Sequence, residues 1–136
     1  MKKFISEEGL IVAFDFDNTL VENSYPQIGN PKSYAISTLS ELKEKGVRIV
    51  IWTCREELKP VREWLNKWNI AVDAINSNEA LTEKEWKKFG YHDSRKIAAD
   101  IYVDDRNLFY KDDLKKVKEK ILEIYNVRRK NERRKK

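Results

Sequence analysis

Leu-Ile-Val-Ala-Phe-Asp-Phe-Asp-Asn-Thr, at residues 10–19, is the stretch that decides the fold. Its first half is a short, continuous apolar run, which is typical of a β-strand buried on both faces of a sheet. Two aspartates, Asp15 and Asp17, follow at the point where such a strand would end. A buried strand of this kind indicates an α/β protein, in which helices alternate with further strands.

Helical and strand patterns do alternate along the rest of the chain. Apolar residues at helical spacing predict helices within residues 31–46, 57–68 and 81–89 and from residue 114 onward. A cap residue followed by proline, Asn30-Pro31, should begin the first of them. Apolar runs predict further strands within residues 47–52, 70–75 and 97–103. This order predicts one Rossmann-like, doubly wound sheet, mostly parallel, with helices on both faces.

Length and composition fit a single domain without a membrane partner. The chain has 136 residues, which is within the usual size of one domain. Its one cysteine, Cys54, has no partner for an internal disulfide, which favours a reducing compartment. No apolar run approaches the roughly 20 residues that a membrane span needs. We therefore expect a cytoplasmic protein.

The net charge of +5 is concentrated at one end of the chain. The last nine residues, Arg128–Lys136, contain seven basic residues and one acidic residue, so the rest of the chain is close to neutral. We expect a core domain over residues 1–127 and a basic, disordered tail over residues 128–136. Such a block is usually solvated, and contact with the phosphate backbone of a nucleic acid is the alternative.

Polar side chains follow three of the predicted strands. Asp15 and Asp17 follow the first strand, Thr53 follows the second, and the pair Asp104-Asp105 follows the fourth. Each of these alone is a weak signal: an aspartate pair at a strand end is often only turn chemistry or a helix cap, and Thr53 alone is an ordinary β-branched residue. However, the carboxyl ends of parallel strands meet at one edge of the sheet, where α/β proteins bind their ligands. The prediction of a site depends on this shared position.

Four carboxylates at one edge repel one another, and a bound cation relieves that repulsion. Oxygen ligands of this kind suit Mg²⁺, which also shares the oxygens of phosphate groups. Thr53, and Lys96 from the loop before the fourth strand, would supply donors to an anionic group. A cation, a positioned carboxylate, a lysine and a hydroxyl together suit phosphoryl transfer.

The same residues, in the same order, resemble the four motifs of the haloacid dehalogenase superfamily. Within it, the chain is most similar to small members without a cap domain, and the resemblance spans about residues 10–110. It implies a capless core with a short flap after the first strand. The matching segments are Asp15–Thr19, Tyr25–Gly29, Trp52–Arg55, Ser94–Lys96 and Asp104–Asn107.

The resemblance implies a Mg²⁺-dependent phosphomonoester hydrolase. Asp15 would be the nucleophile that forms an aspartyl-phosphate, and Asp17 would act as general acid and then as general base. The Asp15 carboxylate, the Asp17 backbone carbonyl and the acidic pair would hold Mg²⁺, with Asp105 favoured over Asp104 as the direct ligand. Thr53 and Lys96 would hold the transferring phosphoryl group.

Three further residues are candidates for substrate contact. Arg55 either binds substrate or forms a salt bridge with Glu56, Glu57 or a carboxylate of the site. Backbone N–H groups at Phe16 and Asn18 would add donors to the phosphoryl group. The one histidine, His92, and Cys54 have no place in this mechanism. We expect His92 to be structural or solvent-facing and Cys54 to be a packed small residue.

A capless site would be open to solvent. An open site suits a large phosphorylated substrate, such as a nucleic-acid end or a protein, or a homo-oligomer that covers it. Two alternatives stay open: a nucleic-acid end-processing phosphatase whose Arg128–Lys136 tail binds the polymer, and a non-catalytic protein that binds phosphate or nucleic acid. A signalling receiver domain uses the same residue types, but its acidic pair follows the first strand, which is the opposite order.

Overall fold

A computed structural model describes Ser6 and residues 8–88 and 95–134. In these ranges four strands alternate with four helices: β1 (Ile11–Phe14), α1 (Ala35–Glu44), β2 (Arg48–Ile51), α2 (Lys59–Lys67), β3 (Ala74–Ile75), α3 (Glu83–Lys88), β4 (Ile101–Val103) and α4 (Leu114–Arg134). The strands form one sheet in the order β3-β2-β1-β4, and all three of its described pairs are parallel. The predicted α/β sheet is therefore confirmed.

The register of the central strand brings three strand ends to one level. Phe14, the last residue of β1, lies opposite Ile51 of β2 and Val103 of β4. The chain therefore leaves all three strands at the same edge of the sheet. Asp15, Trp52 and Asp104 are the first residues beyond that edge.

Both faces of the sheet are covered, but by layers of unequal thickness. Leu10, Val12 and Phe14 face a core that also contains buried side chains of α1, α2 and α4. Ile11 and Ala13 face a smaller apolar cluster that includes residues from the segments before and after α3. Since α3 also lies on this second face, helices on both faces are confirmed, with most of the helical mass on the first.

A buried ion pair fixes α3 to the sheet. The Glu85 side chain is fully buried, and its two carboxylate oxygens accept hydrogen bonds from Arg48 of β2 at 2.6 and 2.9 Å. Arg48 also donates to the carbonyl oxygens of Gly9 and Ala80. These bonds supply charge-assisted partners to a carboxylate that could not otherwise be buried at low cost.

The first helix begins later than the Asn30-Pro31 pattern predicts. Pro31 lies in a β-bridge opposite Val21, and α1 begins only at Ala35. The residue before it, Tyr34, has φ 66° and makes no side-chain capping bond. The reason is tertiary: the chain from residue 30 pairs with the segment after β1 and so is held extended.

This pairing closes the base of a short flap at residues 22–30. The Glu22 N–H donates to the Asn30 carbonyl at 2.8 Å. Gly29 packs so closely against the same segment that a Cβ there would lie 1.9 Å from the Glu22 carbonyl oxygen. The flap is the only insertion after β1 in the described chain, and no cap domain is evident, as predicted.

We expect Gly29→Ala to lower the free energy of unfolding by about 1–3 kcal/mol, because the added methyl group meets backbone that cannot move cheaply. Urea unfolding followed by circular dichroism would measure the loss. Ser24→Ala, at an exposed position of the same flap, is the matched control and should change stability by less than about 0.5 kcal/mol. Equal stability of the two variants would show that the flap base is not closely packed.

The C-terminal segment differs from the predicted disordered tail. Helix α4 continues without interruption from Leu114 to Arg134, so the predicted domain boundary at residue 127 falls inside a helix. Arg128 is buried and donates to the Ser6 hydroxyl at 2.6 Å and to the Ser6 carbonyl at 2.8 Å. Its guanidinium also lies 3.6 Å from the fully buried Asp100 carboxylate. Arg128 is therefore part of the core, which a count of charges did not reveal.

None of the helices within the described ranges has the length and apolar character required to cross a membrane.

Candidate active site

Three carboxylates meet at the edge where β1 and β4 end. Asp15, Asp104 and Asp105 each offer one oxygen atom, and these three atoms all lie within 4.8 Å of one another. The parallel register of β1 and β4 places Asp15 beside the acidic pair, and the Asp15 N–H donates to the Val103 carbonyl at 2.9 Å. The structure thus brings together three of the four predicted carboxylates.

Two residues of the turn after β1 hold Asp105 in place. The buried Thr19 hydroxyl oxygen lies 3.1 Å from Asp105 Oδ1 and 3.3 Å from Asp15 Oδ2, and it accepts a hydrogen bond from the Asp105 N–H at 3.0 Å. Asn18 Nδ2 donates to Asp105 Oδ2 at 3.0 Å. Asn18 adopts φ 64°, a left-handed conformation that asparagine tolerates better than most residues. The turn therefore fixes the two carboxylates that follow β1 and β4 relative to each other.

The crowding has an electrostatic consequence for Asp15. Burial, a hydrogen bond with Asp105 and the negative charge of Asp104 together raise the pKa of Asp15 from 3.8 to about 7. Burial acts in the same direction on Asp105, but hydrogen bonds from Asp15, Asn18 and Thr19 outweigh it and lower the Asp105 pKa. Without a cation, the site therefore retains a proton that two isolated carboxylates would release.

This shift makes a prediction for stability in the absence of metal. The folded protein binds the Asp15 proton more tightly than the unfolded chain does. The stabilisation that this proton gives the folded state is therefore complete below pH 3.8 and is lost as the pH rises through about 7. The unfolding free energy of the wild type should therefore decrease relative to that of Asp15→Asn as the pH rises from about 4 to above 7, because the amide does not titrate. Urea titrations in EDTA across this range would measure it, and a constant difference would contradict the shifted pKa.

Asp17 points to a different partner. Its two carboxylate oxygens accept hydrogen bonds from Arg55 Nε and Nη2, each at 2.7 Å. Its side chain is not one of the three that approach one another at the acidic cluster. Of the two predictions for Arg55, the structure shows the salt bridge with a carboxylate of the site. A direct contact of Arg55 with substrate stays a prediction.

Thr53 is fixed by the turn that follows β2. Its N–H donates to Asn76 Oδ1 at 2.7 Å, and Asn76 Nδ2 donates back to the Thr53 carbonyl at 2.8 Å. The Thr53 hydroxyl oxygen accepts the Arg55 N–H at 3.1 Å. The hydroxyl hydrogen thus remains available as a donor within the site.

These residues surround an open cavity of about 290 Å³. Its wall combines three of the four predicted acids with the flap, two arginines and Cys54, which is exposed and not packed as expected. The lining residues are Asp15, Asp17, Asn18, Asn23, Tyr25, Thr53, Cys54, Arg55, Asp105 and Arg106. A phosphate group has room here, in a cavity whose wall contains carboxylates, two guanidinium groups and the Thr53 hydroxyl.

Lys96 is not among the side chains that line this cavity. Its ammonium nitrogen lies 4.9 Å from the centre of the Tyr102 ring, on the second face of the sheet. A cation–π contact of this kind stabilises an exposed ammonium group. The role predicted for Lys96 in holding the phosphoryl group therefore stays a prediction. His92 and Ser94 lie outside the described residues.

One of the two predicted backbone donors already has a partner within the protein. The Asn18 N–H donates to the Val21 carbonyl at 2.8 Å, so it is not available to a substrate. The Phe16 N–H points to the Asp15 carboxylate, where it acts to lower the pKa, and the Phe16 side chain is fully buried. The tight turn after β1 directs the Asn18 N–H inward, so the prediction for this donor is corrected. A contact of the Phe16 N–H with the phosphoryl group stays a prediction.

Comparison with known proteins agrees with this arrangement. The family model described as haloacid dehalogenase-like hydrolase matches residues 12–134. The chain belongs to this family. The haloacid dehalogenase-like assignment confirms the resemblance drawn from the motifs and extends it through α4 to the end of the described chain.

A solved structure has the same fold as this haloacid dehalogenase-like hydrolase. It is a conserved protein from Bacteroides thetaiotaomicron, 31% identical, and it superposes with a TM-score of 0.71. The match covers 85% of this chain and 91% of the other. No curated protein gives a significant match.

Two positioning residues of this hydrolase were missed by the sequence reasoning. Thr19 was read only as part of the first motif, although its hydroxyl joins Asp15 to Asp105. Asn76, which holds Thr53, lies at the end of the short β3 and has φ 52°. An asparagine directly after a predicted strand was the available signal for the second residue.

Proposed function

We propose that this hydrolase is a Mg²⁺-dependent phosphomonoesterase that works through an aspartyl-phosphate on Asp15. The observation that carries the proposal is the group of three carboxylates, Asp15, Asp104 and Asp105, of which Asp15 and Asp105 line the open cavity. Asp17 and Thr53 line the same cavity. A nucleophile, an acid–base group and a hydroxyl donor thus surround the space that a phosphate would fill.

The acidic cluster fits a hard divalent cation. Its ligand atoms are all oxygens. Burial, a hydrogen bond with Asp105 and the negative charge of Asp104 raise the Asp15 pKa to about 7, and a bound cation would oppose this shift. Asp15, Asp105 and Asp104 would hold the ion, with Asp105 our choice for a direct ligand and the Asp17 backbone carbonyl as a further one. Bound Mg²⁺ would neutralise charge on the phosphoryl oxygens.

In the first step, an Asp15 carboxylate oxygen attacks phosphorus and forms the acyl-phosphate bond. The bond between phosphorus and the ester oxygen breaks, and its electron pair stays on that oxygen. Asp17 gives its proton to the leaving oxygen, so that an alcohol departs. Thr53 donates its hydroxyl hydrogen to a phosphoryl oxygen, and Lys96 is our proposal for a second donor.

In the second step, water attacks the phosphorus of the aspartyl-phosphate. Asp17, now a carboxylate, accepts a proton from that water, and the bond between phosphorus and Asp15 breaks. Inorganic phosphate leaves, and both aspartates return to their starting states. The two steps together transfer one phosphoryl group from an alcohol to water.

The test is release of phosphate from p-nitrophenyl phosphate with Mg²⁺ and with EDTA. We expect activity only with the metal, and acid quenching during turnover should trap one phosphoryl group on the peptide that contains Asp15. A panel of phosphorylated metabolites, nucleotides, oligonucleotides and phosphoproteins would then identify the substrate class. Phosphate binding without turnover of any of these would favour a non-catalytic binding protein instead.

The basic C-terminal residues offer little support for contact with a polymer bound at this site. Arg128 contacts Ser6 and Asp100, which precede β1 and β4, whereas the acidic cluster follows those strands. Helix α4, which runs roughly 30 Å from Leu114 to Arg134, carries the described basic residues Arg129, Lys130 and Arg133 away from the cluster. Deletion of residues 129–136 should therefore leave turnover of p-nitrophenyl phosphate unchanged. If the same deletion reduced both the turnover of a phosphorylated oligonucleotide and its salt-dependent binding, the end-processing alternative would be restored.

A further inference from the structure

Arg55 is nearly inaccessible although it stands at the wall of an open cavity. Only 5% of its side chain is exposed, and protein acceptors take four of its five N–H hydrogens. Two of these bonds go to the Asp17 carboxylate and two go to the carbonyl oxygens of Pro26 and Gln27 in the flap. One side chain therefore joins the flap to the acid–base residue.

Aromatic rings hold the guanidinium from both neighbouring segments. Its central carbon lies 4.9 Å from the centre of the Tyr25 ring and 5.8 Å from that of Phe16. The Arg55 backbone is fixed as well, because its N–H donates to the Thr53 hydroxyl. Stacking and a planar pair of hydrogen bonds give the guanidinium one orientation, which an ammonium group could not reproduce.

The restraint that Arg55 places on Asp17 matters because the proposed cation site is close to Asp17. Asp15, Asp104 and Asp105 form a site for a cation, and an unrestrained carboxylate two residues from Asp15 would compete to bind that cation. Both Asp17 oxygens are instead held by Arg55. To give a proton to a leaving group, one of them has to turn from its N–H partner toward the cavity.

We propose that Arg55 is a positioning residue for Asp17: it keeps this carboxylate out of the metal site, directs it to the leaving-group side of the cavity, and makes its orientation depend on the flap. The inference rests on the proposed function of Asp17 as general acid. Beyond that function, the inference assigns to Arg55 the control of Asp17 and connects Asp17 to the flap. A merely structural salt bridge would affect all substrates alike.

The test compares substrates that need different amounts of proton donation. p-Nitrophenolate leaves readily without a proton, whereas an alkoxide does not, so a misplaced acid harms alkyl phosphates most. Arg55→Lys keeps the charge but loses the paired hydrogen bonds. We expect kcat/KM to fall by about 10²-fold for an alkyl phosphate but by less than about 10-fold for p-nitrophenyl phosphate. Arg62→Lys, at an exposed position of α2, is the matched control and should change neither value.

A double-mutant cycle separates positioning from direct binding. In the Asp17→Asn background, Arg55→Lys should have almost no further effect, because the group that it positions is already lost. A rise in KM of equal size for both substrates that persists in this background would overturn the proposal and make Arg55 a substrate ligand. An equal fall in kcat for both substrates would overturn it in favour of a structural bridge.

Two further measurements keep the result interpretable. If Arg55→Lys does not fold, as judged by thermal melting, Tyr25→Leu replaces it, since this exposed ring supports the guanidinium. The same selective loss for alkyl phosphates, at a smaller size, is expected, and its absence would contradict the link. Failure of the proposed function itself looks different: the wild type would then release no phosphate, or Asp15→Asn would remain active.

Discussion

Asp15→Asn should lower kcat/KM for release of phosphate from p-nitrophenyl phosphate by at least about 10³-fold. The amide has no oxygen with the charge needed to attack phosphorus, so the aspartyl-phosphate cannot form. Above about pH 7, where Asp15 is charged even without a cation, the same change should raise the melting temperature in EDTA, because one of three mutually repelling groups becomes neutral. It should also reduce the rise in melting temperature that Mg²⁺ causes in the wild type.

Measuring the melting temperature alongside the activity shows whether Asp15→Asn loses activity only because it has unfolded. Asp112→Asn is the control, since this carboxylate is exposed, pairs with Lys32 and lies outside the cavity. It should keep the activity and the Mg²⁺ response of the wild type. Full activity of Asp15→Asn would refute the nucleophile, and a lower melting temperature in EDTA would refute the electrostatic account of the cluster.

Arg128→Ala should lower the free energy of unfolding by about 3–5 kcal/mol, the range for breaking one partner from a buried charge pair. The substitution removes the countercharge from Asp100, whose side chain is fully buried, and two hydrogen bonds to Ser6. Asp100 would keep the N–H groups of Ser6 and Ile11 as partners. Urea unfolding followed by tryptophan fluorescence would measure the loss.

Arg133→Ala is the matched control for this prediction. Arg133 lies on the same helix but is exposed, and alanine favours the helical conformation. Its effect should stay within about 0.5 kcal/mol of zero. Because Arg128 lies at the opposite end of β1 and β4 from the cluster, the activity of each folded molecule should be unchanged. Equal effects of the two variants would mean that Arg128 behaves as an ordinary surface residue.

The sequence was sufficient to predict the sheet and the edge that carries the site. Continuous apolar runs at β1 and β2 distinguished buried strands from helices, and the acids after β1 and β4 followed directly from them. Parallel register then brings Asp15 to Asp105 without any further information. The start of α1 was wrong because pairing of Pro31 with Val21 overrode a local capping signal.

Features that depend on distant pairs of residues were beyond a reading along the chain. Arg55 was assigned equally to substrate and to a salt bridge, and only the fold shows that its guanidinium meets Asp17 and the flap. Arg128 resembled its basic neighbours in sequence, but its partners, Ser6 and Asp100, lie far away along the chain. Charge patterns identify how many charges a segment has, but not which of them is buried.

The course of α4 gives the molecule a charge separation that its net charge conceals. The exposed basic residues near Arg134 lie at one end of the sheet, and the carboxylates Asp15, Asp104 and Asp105 lie at the other. These two groups of opposite charge are therefore separated along the direction of the strands. In the field of a large polyanion, the molecule would turn its helical end toward the surface and its cavity toward the solvent. Binding to a polyanion in this orientation would leave the cavity open to substrate.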